Sequence, residues 1–82
     1  MAVQTRASRD VVLKTLEPIR DRGGRSLHVR VLDVRGNPRL DIREFIDDDT
    51  FQGYTRKGIC LTREEFEVLL GQVETIRAAL GG

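Results

Sequence analysis

Apolar and polar positions alternate with period two through the middle of the chain and recur at helical spacing toward its end, the pattern of a sheet followed by a helix. Between Leu40 and Ile46, Leu40, Ile42 and Ile46 fall on one side of an extended chain, with Glu44 breaking the row. Arg39, Asp41, Arg43 and Phe45 fall on the other. Between Arg56 and Leu61, Lys57, Ile59 and Leu61 share one face, and Arg56, Gly58 and Cys60 the other. Ser26 to Val34 alternates in the same way: Leu27, Val29 and Val31 point toward the expected core, and His28, Arg30, Leu32 and Val34 away from it. Arg35-Gly36-Asn37-Pro38 reads as the hairpin turn between these strands, and Asp-Arg-Gly-Gly within Arg20 to Arg25 as an earlier turn. Val11 to Ile19 is ambiguous. Val12, Leu16 and Ile19 have helical spacing and Ser8 offers a cap, but β-branched Val11, Val12 and Thr15 and the ring of Pro18 oppose a helix. The reading adopted is an edge strand with Pro18 near its end.

The helix is the clearest element. Thr62 is a good N-cap and Glu65 completes a capping box. Phe66, Leu69, Leu70, Val73, Ile76 and Leu80 form one apolar stripe, which Gly81-Gly82 ends. Gly71 costs about 1 kcal/mol relative to alanine inside a helix and leaves room for a second helix to approach. The stripe is long for one helix on a small sheet, so part of it is expected to meet a second copy. Asp47 to Thr55 is expected to be the loop of the last hairpin, carrying Phe51 and Tyr54. Either one ring folds back onto the core edge, or the loop presents rings on which bases stack.

The length of 82 residues suits one domain, and so short a chain buries little surface alone, which favours a dimer. Residues 1–10 are polar and basic without periodicity and are expected to form a flexible arm, with Arg6 and Arg9 available to an anionic partner; residues 11–82 form the domain. The formal net charge is only +1, but its distribution is uneven. Cations dominate up to Arg35, and acids gather at Asp47 to Asp49 and at Glu64, Glu65 and Glu67. Arginine far outnumbers lysine, and its planar fork suits phosphate and flat π faces; an Arg-rich composition also arises from a GC-rich genome. One cysteine excludes an internal disulfide and a cysteine-based zinc site, and no apolar run is long enough to span a membrane. The expectation is a soluble intracellular protein.

No catalytic constellation is present in the sequence. His28 is the lone histidine, and Cys60 lies in an apolar strand with no histidine near it in sequence. Gly23-Gly24 is not followed by the Lys-Ser or Lys-Thr of a phosphate loop, and Asp47 to Asp49 lacks the spaced ligands of a calcium loop. Neither an enzyme, a cofactor nor a metal is expected.

Asp-Ile-Arg-Glu-Phe at Asp41 to Phe45, Arg-Lys-Gly-Ile-Cys-Leu at Arg56 to Leu61 and the capped helix after them resemble the positive cofactor four family of transcriptional coactivators. Val-Arg-Val at Val29 to Val31, Asp33 and Gly36 fit in register, so the resemblance covers roughly Gly24 to Leu80, with a weaker match at Val11 to Ile19. It implies an α+β fold, a four-stranded antiparallel sheet followed by one C-terminal helix, forming a homodimer across its helices, here through Leu69, Val73, Ile76 and Leu80. It also implies binding of single-stranded or unwound DNA with little sequence preference. By position, Arg43 matches the family's arginine in the third strand, Lys57 its lysine at the start of the fourth, and Arg35 a lysine in the second hairpin. The expected contacts are then Arg30, Arg35, Arg39, Arg43, Arg56 and Lys57 for phosphate, with Phe51 and Tyr54 for stacking.

Two departures stand against this. Val34 and Ile46 replace an aromatic and a tryptophan that stack on bases in better-known members, and each such loss costs about 1–3 kcal/mol per base. They motivate the alternative, a dimeric protein-interaction module that keeps the fold with weak or no DNA binding; RNA or duplex DNA as the ligand is a third option. The family's long Ser-rich acidic arm is missing, which points to a bacterial or phage-like member working in the cytoplasm at the nucleoid rather than in a nucleus, with the transcription machinery as a further partner.

Overall fold

The computed structural model describes residues 11–81; the arm expected over residues 1–10 and the terminal Gly82 lie outside the described residues. The fold is built on one long hairpin. β3 (Arg25–Val34) and β4 (Asn37–Asp47) pair antiparallel from Arg25↔Ile46 to Val34↔Asn37. β5 (Gln52–Thr62) pairs with the far side of β4, and β1 (Val11–Thr15) with the far side of β3. A short β2 (Arg20–Arg22) also pairs with β3, beyond the end of β1. Two helices follow, α1 (Arg63–Leu70) and α2 (Val73–Ala79). The class is α+β with an antiparallel sheet.

Within the sheet, the elements differ from expectation in four places. Arg20 to Arg25 is not all turn: Arg20↔Leu27 and Arg22↔Arg25 are strand pairs, and only Gly23-Gly24, both at positive φ, turn the chain. Leu16 and Ile19 N–H donate to the carbonyls of Val29 and Leu27 at 2.9 Å each. The edge therefore continues past Pro18, whose missing N–H is tolerated at an edge. The β3–β4 connection is only Arg35-Gly36, while Asn37 and Pro38 pair with Val34 and Asp33. The last hairpin loop is shorter than Asp47 to Thr55, because β4 runs through Asp47 and β5 starts at Gln52. Its tip is an Asx turn: one Asp48 carboxylate oxygen accepts from Thr50 N–H at 2.8 Å, Thr50 Oγ1 at 2.9 Å and Phe51 N–H at 2.9 Å.

The single expected helix is two. The capping box forms, with Glu65 N–H donating to Thr62 Oγ1 at 3.1 Å and Thr62 N–H to Glu65 Oε1 at 2.9 Å. At Gly71-Gln72 the regular ladder tightens: Gln72 leaves helical dihedrals, and its N–H donates three residues back to the Leu69 carbonyl at 2.9 Å. Its side chain donates to the Val68 carbonyl at 3.2 Å. A flexible glycine at the weakest helical position lets the break form.

Leu27, Val29, Val31, Leu40, Ile42 and Ile46 share one sheet face by register and are half-buried, while Ile59, beside Ile42, is exposed. The deepest burial lies on the opposite face, the one expected to look outward. There Leu32 is 6% exposed, Arg30 9% and Asp41 1%.

Candidate nucleic-acid interface

On that second face the cross-strand register brings His28 opposite Arg43, Arg30 opposite Asp41 and Phe45 opposite Tyr54. Asp41 is the hub. Its Oδ2 accepts from Arg30 Nη2 at 3.0 Å; its Oδ1 accepts from Arg43 Nη2 at 2.9 Å and Arg43 Nε at 3.1 Å. One carboxylate thus orders two guanidinium groups, each oxygen serving one of them. Such a buried cluster adds little net stability, but removing one member leaves an uncompensated charge costing about 3–5 kcal/mol.

Rings close over the cluster. His28 stacks on Phe45 with centroids 4.9 Å apart, and Tyr54 meets Phe45 edge-on at 4.8 Å. The Arg30 guanidinium carbon lies 3.9 Å from the Tyr54 ring centroid, a cation–π contact. His28 Nδ1 and the Tyr54 hydroxyl are hydrogen-bonded at 3.0 Å, as are His28 Nε2 and Ser26 Oγ. Tyr54 is therefore a fixed strand residue, not a loop ring. Gly58 makes room for Arg43: a Cβ there would collide with the Ile42 carbonyl oxygen and come within 2.8 Å of Arg43 Cα.

Beside the cluster, β5 bulges. Arg43 pairs with Gly58 and Phe45 with Tyr54, so Thr55, Arg56 and Lys57 together stand opposite the single residue Glu44. The extra residues leave Arg56 and Lys57 exposed, and neither side chain has an ion pair among the described residues. Glu44, which broke the apolar row, accepts from Thr55 Oγ1 at 3.2 Å and pairs with Arg25 at 3.2 Å.

The expected contacts thus separate. Arg43 reaches the bulge through its bond to the Thr55 carbonyl, and Arg56 and Lys57 follow Thr55 along β5, with Tyr54 just before it. Arg30 belongs to the same cluster but is enclosed between Asp41 and Tyr54, with Nε lacking a hydrogen-bond partner among the described residues. Arg39 is half-buried four residues before Arg43 on the same face, about 13 Å along the strand. Arg35 is exposed at the hairpin tip, and Phe51 is exposed in the last loop. The expectation of a basic outer face counted cations and missed their partners: Asp41 lies on that face by the same alternation as Arg39 and Arg43. The rings of His28 and Phe45 were also on that face in the sequence. Gly58 marked either a close backbone approach or a bulge in the sequence, and the structure has both, the approach of Arg43 at Gly58 and the bulge just before it; nothing marked the part that Thr55 takes there.

Among the described residues no three His, Cys, Asp or Glu side chains are grouped to hold a metal ion, and no helix is long and apolar enough to cross a membrane. The chemistry available is charge and π surface: guanidinium and ammonium groups for anions, and rings beside them.

A family model described as Transcriptional Coactivator p15 (PC4) matches residues 23–72. The matched segment runs from the β2–β3 turn to Gln72, and so contains the cluster, the bulge and α1 but not β1 or α2. No curated protein and no solved structure matches the chain.

Proposed function

The chain belongs to the transcriptional coactivator p15 (PC4) family, and from that premise we propose that it is a homodimer that binds single-stranded or unwound DNA with little sequence preference, acting as a coactivator-like or DNA-maintenance factor. The observation that carries this reading is the bulge of β5, where two exposed cations without an ion pair among the described residues follow the Thr55 carbonyl that Arg43 reaches. Arg56, Lys57 and the outer edge of Arg43 take the phosphates, with Arg39 and Arg35 extending the cationic line toward the β3–β4 hairpin. Phosphate contact supplies affinity without sequence information, and a ring stacks on any base. Phe51 is the exposed ring of the last loop and the better placed of the two expected stacking residues, because Tyr54 is held by Arg30, His28 and Phe45.

Fluorescence anisotropy with labelled oligo-dT at several salt concentrations tests the reading. Binding is expected to weaken with salt at a slope of about −0.7 per phosphate contacted. The double variant Arg56→Ala/Lys57→Ala, which removes no ion pair among the described residues, is expected to flatten that slope by about 1.4. A slope unchanged in the double variant removes the bulge from the site. Absence of binding even at low salt favours the second reading, a protein-interaction module. The observation behind that reading is that Asp41 already neutralises part of the charge of Arg30 and Arg43.

A further inference from the structure

Thr55 joins more partners than any other residue of the bulge. Its hydroxyl donates to Glu44 Oε1 at 3.2 Å on the neighbouring strand and accepts from Lys57 N–H at 3.0 Å, two residues along its own strand. Its carbonyl accepts from Arg43 Nη1 at 3.4 Å. One residue therefore touches the guanidinium of the buried cluster, the backbone of the exposed cation pair and the carboxylate that faces the bulge. The remaining Arg43 donors Nε and Nη2 are committed to Asp41, so the Thr55 carbonyl is what fixes the third edge of the fork. The hydroxyl-to-amide bond closes a local turn that sets where Arg56 and Lys57 leave the strand. Glu44 in turn is held by Arg25 from β3.

We propose that Thr55 is a positioning residue for nucleic-acid binding: it fixes the spacing between Arg43 and the Arg56–Lys57 pair, so that these cations meet successive phosphates of one strand together. The inference rests on the nucleic-acid reading of this face. Removing the hydroxyl frees the bulge without removing a charge. Each cation still attracts DNA, but they no longer engage at once, so both the affinity and the number of phosphates contacted fall. A residue that served stability alone would lower the melting temperature and leave the salt slope of the folded protein where it was.

The test compares wild type, Thr55→Val and Thr55→Ser in oligo-dT binding across a salt series, with thermal melts of each. Thr55→Val preserves shape and removes the hydroxyl; it is expected to bind about three- to tenfold more weakly, the loss of one or two hydrogen bonds, with a salt slope shallower by about one. Thr55→Ser restores the hydroxyl and is expected to recover most of the affinity and the slope. Full affinity and slope in Thr55→Val, with wild type binding well, overturns the positioning role and leaves the nucleic-acid reading standing. No wild-type binding at low salt overturns both. Should Thr55→Val fail to fold, the wild-type protein decides by nuclear magnetic resonance: the Lys57 amide and the Arg43 guanidinium protons are expected to shift together as oligo-dT is added, and a titration that moves neither overturns the proposal.

Discussion

Arg35 carries a cost that its neighbours do not. It sits at φ 55° in a two-residue turn, followed by Gly36 at φ 86°, where asparagine and glycine are the favoured residues. A left-handed backbone costs a side-chain-bearing residue other than asparagine or aspartate about 1–2 kcal/mol. On the proposed reading the guanidinium at the hairpin tip offsets that strain by meeting phosphate. Arg35→Asn is therefore expected to raise stability in urea unfolding by about 0.5–1 kcal/mol while weakening oligo-dT binding. A variant less stable than wild type refutes the strain argument, and one that binds equally well removes Arg35 from the site. At this scale the sequence was half informative. The Arg-Gly dipeptide announced its turn, and alternation placed Arg30, Asp41 and Arg43 on one face. It did not announce that Asp41 would be 1% exposed, because alternation assigns a face and says nothing of which face packing will cover. The guanidinium groups of Arg30 and Arg43 close on Asp41, with the Tyr54 ring over Arg30, and these come from strands whose mutual register only the fold supplies.

Among the elements, the β4–β5 loop gives the clearest pH prediction. The hydrogen bonds to Asp48, first from the Thr50 hydroxyl and then from the Thr50 and Phe51 N–H groups, hold its carboxyl below the ordinary aspartate value, with Arg25 adding a smaller pull. A depressed carboxyl binds its proton less readily folded than unfolded. Its stabilising contribution is thus complete above the unfolded value and is lost as pH falls through the lower folded one. Thermal melts on acidification are expected to show a smaller loss for Asp48→Asn, which keeps an acceptor oxygen and cannot titrate, than for wild type. Identical acid profiles would mean that the turn does not contribute. The element pattern itself was largely legible: three long strands and a capped helix start follow from period and cap chemistry. The misses share a cause. Pairing, not local preference, turned Arg20 to Arg22 into strand and carried β5 back to Gln52, past residues that read as loop. The helix break at Gly71-Gln72 had its local signal in Gly71, but an interior glycine weakens a helix without stating that it will break.

The whole molecule presents more apolar surface than its own sheet covers. Leu32 is the one large apolar side chain buried among the described residues, while Phe66, Val68, Leu69, Leu70, Ile76 and Leu80 on and after the helices, and Ile59 on the sheet, are exposed. Val73 is half-buried. An apolar face of this extent on so small a chain is covered by association in a stable protein, and a second copy is the occupant that the proposed dimer supplies, through Leu69, Val73, Ile76 and Leu80. Each leucine or isoleucine fully buried there contributes about 1.5–3 kcal/mol, so placing a carboxylate at two of them is a severe test. Leu69→Asp/Ile76→Asp is expected to sediment as monomer where wild type sediments as dimer, with association weakened at least about a hundredfold. Because a dimer with so little monomer core has coupled folding and association, the variant is also expected to lose its cooperative melt. The wild-type melting temperature is expected to rise with protein concentration, as mass action requires. A wild-type melt independent of concentration, together with a double variant that still sediments as dimer, would place the interface elsewhere, and the exposed edge from Val11 to Ile19 would be the next surface to mutate.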